Sequence, residues 1–111
     1  MIVTTEDGCK VLRASGITED YFGEVSLDRM KKQIDAEVCE MCETIEGGCI
    51  VIDESGKMKD LPMNFKATHM YKYSFYQQGG RFLMCDFICG DVVYLPKKVY
   101  ENWQREEINN Y

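Results

Sequence analysis

A run of apolar residues between positions 27 and 45 constrains the fold of this chain more than any other feature. Its members follow one another at spacings of 3, 4, 4, 3 and 4 residues, as Leu27, Met30, Ile34, Val38, Met41 and Ile45. That spacing is typical of one face of an amphipathic helix. Ser26 is a suitable N-cap, and Gly47-Gly48 would stop the helix. The sequence therefore predicts one long helix over residues 26–46, packed on a sheet through its apolar face.

Several short stretches have the composition of β-strands. Asp7-Gly8 lies between β-rich runs and predicts a hairpin of residues 2–5 and 9–14. A second hairpin is expected around residues 54–57, where the apolar strand 49–53 would pair with 57–61. Residues 66–76 fit either the start of a helix or a strand, and a short turn at 64–69 followed by a strand is the preferred interpretation. Residues 81–95 then read as two strands, broken at 89–91.

Together these elements predict a single domain over residues 1–111. We expect an α+β fold in which an antiparallel sheet of about five strands carries the long helix on one face. Pro96 suits the first turn of a helix, so a C-terminal helix should follow it.

The chain shows neither a signal peptide nor a membrane-spanning run. Its first residues lack a basic start followed by an apolar stretch, and no apolar run approaches the ~20 residues of a span. We therefore expect a cytoplasmic protein whose six cysteines are reduced.

The formal net charge of −6 limits the partners. Duplex DNA attracts proteins through Lys and Arg at its phosphates, so direct binding of duplex nucleic acid is not expected. A protein with a basic surface is better matched. Glu40, Glu43 and Glu46 would lie in the last two turns of the predicted helix, where negative charge opposes the helix dipole. Such a local conflict can mark a binding face for a basic partner, although a solvated face is the simpler interpretation.

The cysteines and the single histidine give weak signals for metal or catalysis. Cys39 and Cys42 with Cys85 and Cys89 form a loose pattern that would suit zinc only if all four converged. Packed, reduced thiols are favoured, and no metal or other cofactor is expected. His69 is the one base available to a cysteine nucleophile, and nothing in the sequence places a cysteine beside it. Gly56-Lys57 lacks the remainder of a phosphate-binding loop. The chain is predicted not to be an enzyme.

Two other groups of residues are candidates for binding. Tyr71, Tyr73 and Tyr76 form an aromatic run that can fill a core or meet a partner. Asn64 and Thr68 follow the Leu61-Pro62 turn, where their side chains would fasten backbone groups first and contact a ligand second.

The segments DESGKMKDLPMNFKAT and DFICGDVV carry a family resemblance. The shared features are a glycine pair before a strand, an acidic pair, Gly-Lys-Met, Leu-Pro, Asn, Ala-Thr and a later Asp-x-Ile-x-Gly-Asp. With these features the chain resembles, over about residues 27–95, a family of small domains of unknown function. Members are encoded largely by bacteriophages, plasmids and integrative elements. The resemblance implies a small mixed α/β domain of mobile-element origin, and small acidic proteins of that origin often antagonise host defence.

The leading hypothesis is therefore a non-catalytic binding protein that inhibits a host defence protein, such as a CRISPR or restriction nuclease. One alternative is a sponge for a nucleotide signal, with a pocket that could lie between the protomers of a homodimer. Its phosphates would be held by Lys57, Lys66 and Arg81, with Asn64 and Thr68 as further contacts. A second alternative is a zinc-stabilised structural module.

Overall fold

The computed structural model describes residues 1–109. A five-stranded antiparallel sheet with the order β3-β2-β9-β6-β5 forms its centre, and β1–β4 and β7–β8 are separate two-stranded pairs. The strands are β1 (Ile2–Val3), β2 (Lys10–Leu12), β3 (Thr18–Asp20), β4 (Gly23–Glu24), β5 (Cys39–Glu43), β6 (Cys49–Asp53), β7 (Phe75–Gln78), β8 (Arg81–Met84) and β9 (Val92–Leu95). The α-helices are α1 (Leu27–Gln33), α2 (Phe65–Met70) and α3 (Lys97–Asn109), and Thr5–Asp7 form a short 3-10 helix. The predicted α+β class, the five-stranded antiparallel sheet and the C-terminal helix after Pro96 are confirmed.

The predicted long helix over residues 26–46 is wrong. Ser26 caps α1 as predicted, since its side chain accepts a hydrogen bond from the Arg29 amide. The helix then stops at Gln33, because Asp35 adopts a left-handed conformation with φ 53°. The Ala36 amide donates to the Lys31 carbonyl and the Asp35 amide to the Lys32 carbonyl, which is a Schellman ending. Residues 39–43 continue as strand β5.

Two predicted hairpins also have the wrong pairing. Strand β1 pairs with β4, and β2 pairs with β3, so the turn at Asp7-Gly8 does not join paired strands. Strand β6 forms its hairpin with β5 rather than with residues 57–61. Residues 54–60 are turns, in which Asp60 has φ 54°.

The central sheet is covered on both faces. One face packs on α1 and α3 through a cluster that includes Met30, Val51, Val93 and Trp103. The other face packs on α2 and residue Ile88 through a smaller cluster that includes Ile50, Ala67 and Val92. Burial on both faces explains why β6 and β9 are nearly continuous apolar runs in the sequence. No helix within residues 1–109 is long and apolar enough to cross a membrane.

Candidate protein-interaction surface

The β7–β8 hairpin presents exposed apolar side chains, among them Phe82 and Met84. Register places Phe75 opposite Met84 and Gln77 opposite Phe82, so these side chains share one face of the hairpin. This face and the β5–β6 turn border a cleft of about 340 Å³, lined by Ile45, Tyr71, Lys72, Phe75 and Phe82, which we call the hairpin cleft. Ile45 is 70% exposed and Phe82 is 75% exposed. The cleft is thus an accessible, largely apolar surface.

The hairpin has little support from other strands. Within the described part of the chain, β7 and β8 pair only with each other. An isolated two-stranded hairpin is marginally stable in water, and large apolar side chains grouped on a surface often mark a contact site. The hairpin is therefore a candidate contact surface.

Strand β5 is an edge of the central sheet, and its outer side is open over residues 39–41. The Glu54 amide donates to the Val38 carbonyl and the Thr44 amide to the Gly48 carbonyl. Because hydrogen bonding alternates along an antiparallel strand, Glu40 and Cys42 bond to β6, whereas Cys39 and Met41 direct their backbone groups outward. Farther along, Tyr71 closes the edge by forming a bridge with Thr44.

A groove and a cavity flank this open edge. On the α3 side, a groove of about 200 Å³ is lined by Met41, Tyr100, Trp103, Gln104 and Glu107, and we call it the edge groove. Over the opposite face lies a cavity of about 110 Å³ bordered by Glu40, Cys42, Glu54, Lys57, Tyr71 and Asp86, among others. We call it the acidic cavity, because its carboxylates outnumber its single lysine.

The structure separates the three glutamates that the sequence placed in one helical row. Glu40 lies on β5 at the acidic cavity, and Glu43 forms a salt bridge with Lys72 at 3.2 Å. Glu46 accepts a hydrogen bond of 2.7 Å from the Tyr94 hydroxyl. Burial opposes ionisation of Glu46, but hydrogen bonds led by that from Tyr94 keep its pKa below the usual value. The predicted row of unpaired helical charges is therefore wrong, because Glu40 lines the acidic cavity, Glu43 pairs with Lys72 at the hairpin cleft and Glu46 bonds to Tyr94.

The three tyrosines occupy different surroundings. Tyr71 borders both the acidic cavity and the hairpin cleft. Tyr73 packs edge-on against Tyr71, with ring centroids 5.8 Å apart. Tyr76 points to the face of the hairpin opposite Phe75 and Phe82, and it is exposed. Tyr71 is thus the tyrosine that joins the candidate surfaces.

The residues proposed for phosphate binding are not brought together in one pocket. Lys57 forms a salt bridge with Asp86, and this contact holds the pKa of Asp86 below its usual value. Lys66 donates to the Gly16 carbonyl and the Thr18 hydroxyl, at 2.8 and 2.6 Å. Arg81 is exposed at the end of the hairpin. Of these three cations, only Lys57 lines the acidic cavity, whose carboxylates would repel a phosphate.

Asn64 and Thr68 act as fasteners inside the fold. The Asn64 amide nitrogen donates to the Leu12 and Gly90 carbonyls, both at 2.9 Å, and its oxygen accepts from the Ala67 amide. The Thr68 hydroxyl accepts from the Ile88 amide at 2.9 Å. Both side chains are buried, so they hold α2 against the sheet, as the structural interpretation of the sequence predicted.

The four cysteines of the possible zinc site do not converge. Cys39 and Cys42 occupy opposite faces of β5, because they are three residues apart on a strand. No group of three or more His, Cys, Asp or Glu residues in the range 1–109 is arranged to hold a metal ion. His69 stacks on Phe75, with ring centroids 5.6 Å apart.

The buried thiols have low nucleophilicity. Burial raises the pKa of Cys9 and of Cys42 to about 11 and that of Cys49 to about 12. The thiolate is the reactive form, so these cysteines are protonated and unreactive at neutral pH. Cys85 is the exposed cysteine, and it donates a hydrogen bond to the Tyr73 carbonyl.

We expect one thiol of the native protein to react rapidly with Ellman's reagent at pH 8. That thiol is Cys85, whereas Cys9, Cys42 and Cys49 should react at least about 100-fold more slowly until the chain unfolds. The Cys85→Ser variant, which is the matched control, should lose the fast phase alone. Fast reaction of Cys9, Cys42 or Cys49 in the Cys85→Ser variant would contradict the burial of these thiols.

Comparison of the chain with protein-family models, with curated proteins and with solved structures produced no match. The resemblance to a mobile-element family therefore stays a prediction from the sequence. The sequence analysis did not predict the hairpin cleft. It placed Ile45 on the long helix, and the other residues of the cleft come from a distant segment of the chain. The available signal was the number of large apolar residues around the Gly79-Gly80 turn, such as Phe75, Phe82 and Met84.

Proposed function

We propose that this chain is a small, acidic, non-catalytic binding protein that recognises another protein through the hairpin cleft. The observation that carries the proposal is the grouping of Ile45 and Phe82, which are 70% and 75% exposed, beside Phe75 and Tyr71 around one cleft. Protein interfaces draw much of their affinity from aromatic and aliphatic side chains that become buried at their centre. Tyr71 adds an aromatic ring to the cleft, and Lys72 supplies a polar rim.

The net charge of the chain limits the classes of partner that it can bind. A net charge of −6 favours approach to a protein with a basic surface and disfavours both duplex nucleic acid and a second copy of the chain. The raised pKa of the buried thiols supports a binding role over cysteine-based catalysis.

The sequence resemblance directs the choice of partner to test. A chain of mobile-element origin would act in the cytoplasm of a bacterial host, and host defence proteins are the class that such small acidic proteins often inhibit. CRISPR and restriction nucleases are therefore the first partners to assay, because nucleic-acid enzymes carry basic surfaces.

The test is a double substitution in the cleft, Ile45→Glu with Phe82→Glu. Both side chains are mostly exposed, so the melting temperature should change little. Charges at the centre of an apolar contact should weaken binding of the partner at least about 100-fold. The measurement is quantitative capture of the same host protein by tagged wild-type and variant chains, followed by titration with the purified partner.

The matched control is Ile17→Glu, since Ile17 is 60% exposed and lies at the β2–β3 turn, next to the opposite edge strand. This control should bind as the wild type does. Equal binding by the cleft variant and the control would refute recognition through the hairpin cleft.

A further inference from the structure

We infer that an extended, basic segment of the partner adds to the open side of β5 as a sixth strand of the sheet. The inference rests on the proposed protein-binding function, to which it adds the mode of recognition and the chemistry of the partner. Three features of the structure support it: the free backbone groups of β5, the edge groove on one face of the sheet and the acidic cavity on the other.

The first feature is the backbone of β5, which has unpaired groups on its outer side. The N–H and C=O groups of Met41 point away from β6, and Met41 is 47% exposed. Unpaired strand edges bind extended chains through main-chain hydrogen bonds. Every paired strand of the central sheet is antiparallel to its neighbour, so we expect an antiparallel sixth strand. The bridge between Thr44 and Tyr71 sets the end of the available edge.

The alternation of side chains along a strand then determines which residue types the added segment of the partner should carry. A residue directly opposite Met41 projects on the same face as Met41, toward the edge groove formed with Tyr100 and Trp103. This groove is largely apolar, so an aliphatic side chain fits there. The residue opposite Glu40 projects on the other face, toward the acidic cavity.

The acidic cavity favours a lysine or arginine. Glu40 and Glu54 border it, are exposed, and form no ion pair within residues 1–109. Asp86 is already neutralised by Lys57, and the Tyr71 ring provides an aromatic wall. The occupant is therefore an extended segment that alternates aliphatic and basic residues. A second copy of this chain fits poorly, because two copies would bring two Glu40 side chains and two charges of −6 together.

The direct test uses a fluorescent nine-residue peptide that alternates Val and Arg, titrated into the full chain at low salt. We expect saturable binding, at least tenfold tighter than that of a peptide alternating Val and Glu. In the antiparallel register the Val amides point at β5 and the Arg amides point away. N-methylation of the Val amides should therefore reduce affinity at least tenfold, whereas N-methylation of the Arg amides should leave it unchanged.

Two variants of the protein localise the binding. Met41→Pro removes the outward N–H without removing a bond to β6, and proline is tolerated at such edge positions. It should weaken peptide binding at least tenfold and keep the circular dichroism of the wild type. Glu40→Lys should also weaken binding at least tenfold, while Glu6→Lys, an equal charge change in an exposed turn away from β5, should change it less than twofold.

Each contrary outcome is informative. Absence of saturable binding below about 1 mM, equal affinity of the two N-methylated peptides, or full binding by Met41→Pro would overturn the inference. A concentration-dependent dimer that Met41→Pro abolishes would also overturn it, since the edge would then belong to a second copy. If the host protein binds Met41→Pro normally but fails to bind the cleft variant, strand addition is refuted and the proposed function stands.

Discussion

Replacing Asn64 with alanine should lower the free energy of unfolding by about 3 kcal/mol. Asn64 is only 1% exposed, and its side chain makes three hydrogen bonds with backbone groups. The alanine variant leaves the Leu12 and Gly90 carbonyls without this partner and removes the N-cap of α2. Each of the two lost hydrogen bonds to a buried carbonyl costs about 1 kcal/mol, and loss of the cap costs about 1 kcal/mol.

The measurement is urea unfolding followed by circular dichroism, with the melting temperature as a second readout. A loss of this size should lower the melting temperature by roughly 10–20 °C. Asn102→Ala, on the partly exposed side of α3, is the control and should change stability by less than about 0.5 kcal/mol. A loss below about 1 kcal/mol for Asn64→Ala would show that Asn64 does not hold α2 to the sheet.

The sequence predicts the centre of this fold well, because its strongest patterns coincide with complete burial. Residues 49–53 read as a buried strand, and they form the buried strand β6. Residues 92–95 likewise form β9, and Pro96 directly precedes α3. At these places local preference and tertiary packing favour the same structure.

The predicted helix over residues 26–46 is wrong because buried helical residues and exposed strand residues happen to follow the same apolar spacing. Met30 and Ile34 are buried, as a helical stripe requires, but Val38, Met41 and Ile45 are exposed. The helix ends at Gln33, two residues before the left-handed Asp35, and an aspartate gives a weaker stop signal than the glycine pair at 47–48. The apolar residues after the helix belong to an edge strand and a turn, where a spacing of three and four residues does not indicate a helix.

The candidate surface was beyond the reach of sequence patterns for a topological reason. The hairpin cleft joins Ile45 to Phe75 and Phe82, which are 30 and 37 positions away along the chain. Their proximity depends on the bridge between Thr44 and Tyr71, which periodicity does not encode. The row of Glu40, Glu43 and Glu46 is the opposite case. It was predicted but is absent, because it depended on a helix that does not form.

Amide hydrogen exchange of the native protein, measured residue by residue by NMR, tests most directly whether residues 39–43 form an open edge strand. We expect alternating protection, because Glu40 and Cys42 bond to β6 while the amides of Cys39 and Met41 face solvent. The protected amides should exchange about 100-fold more slowly than their neighbours. Uniform protection of residues 39–43 would contradict the account, because it is expected of a helix or of an edge already covered by another chain.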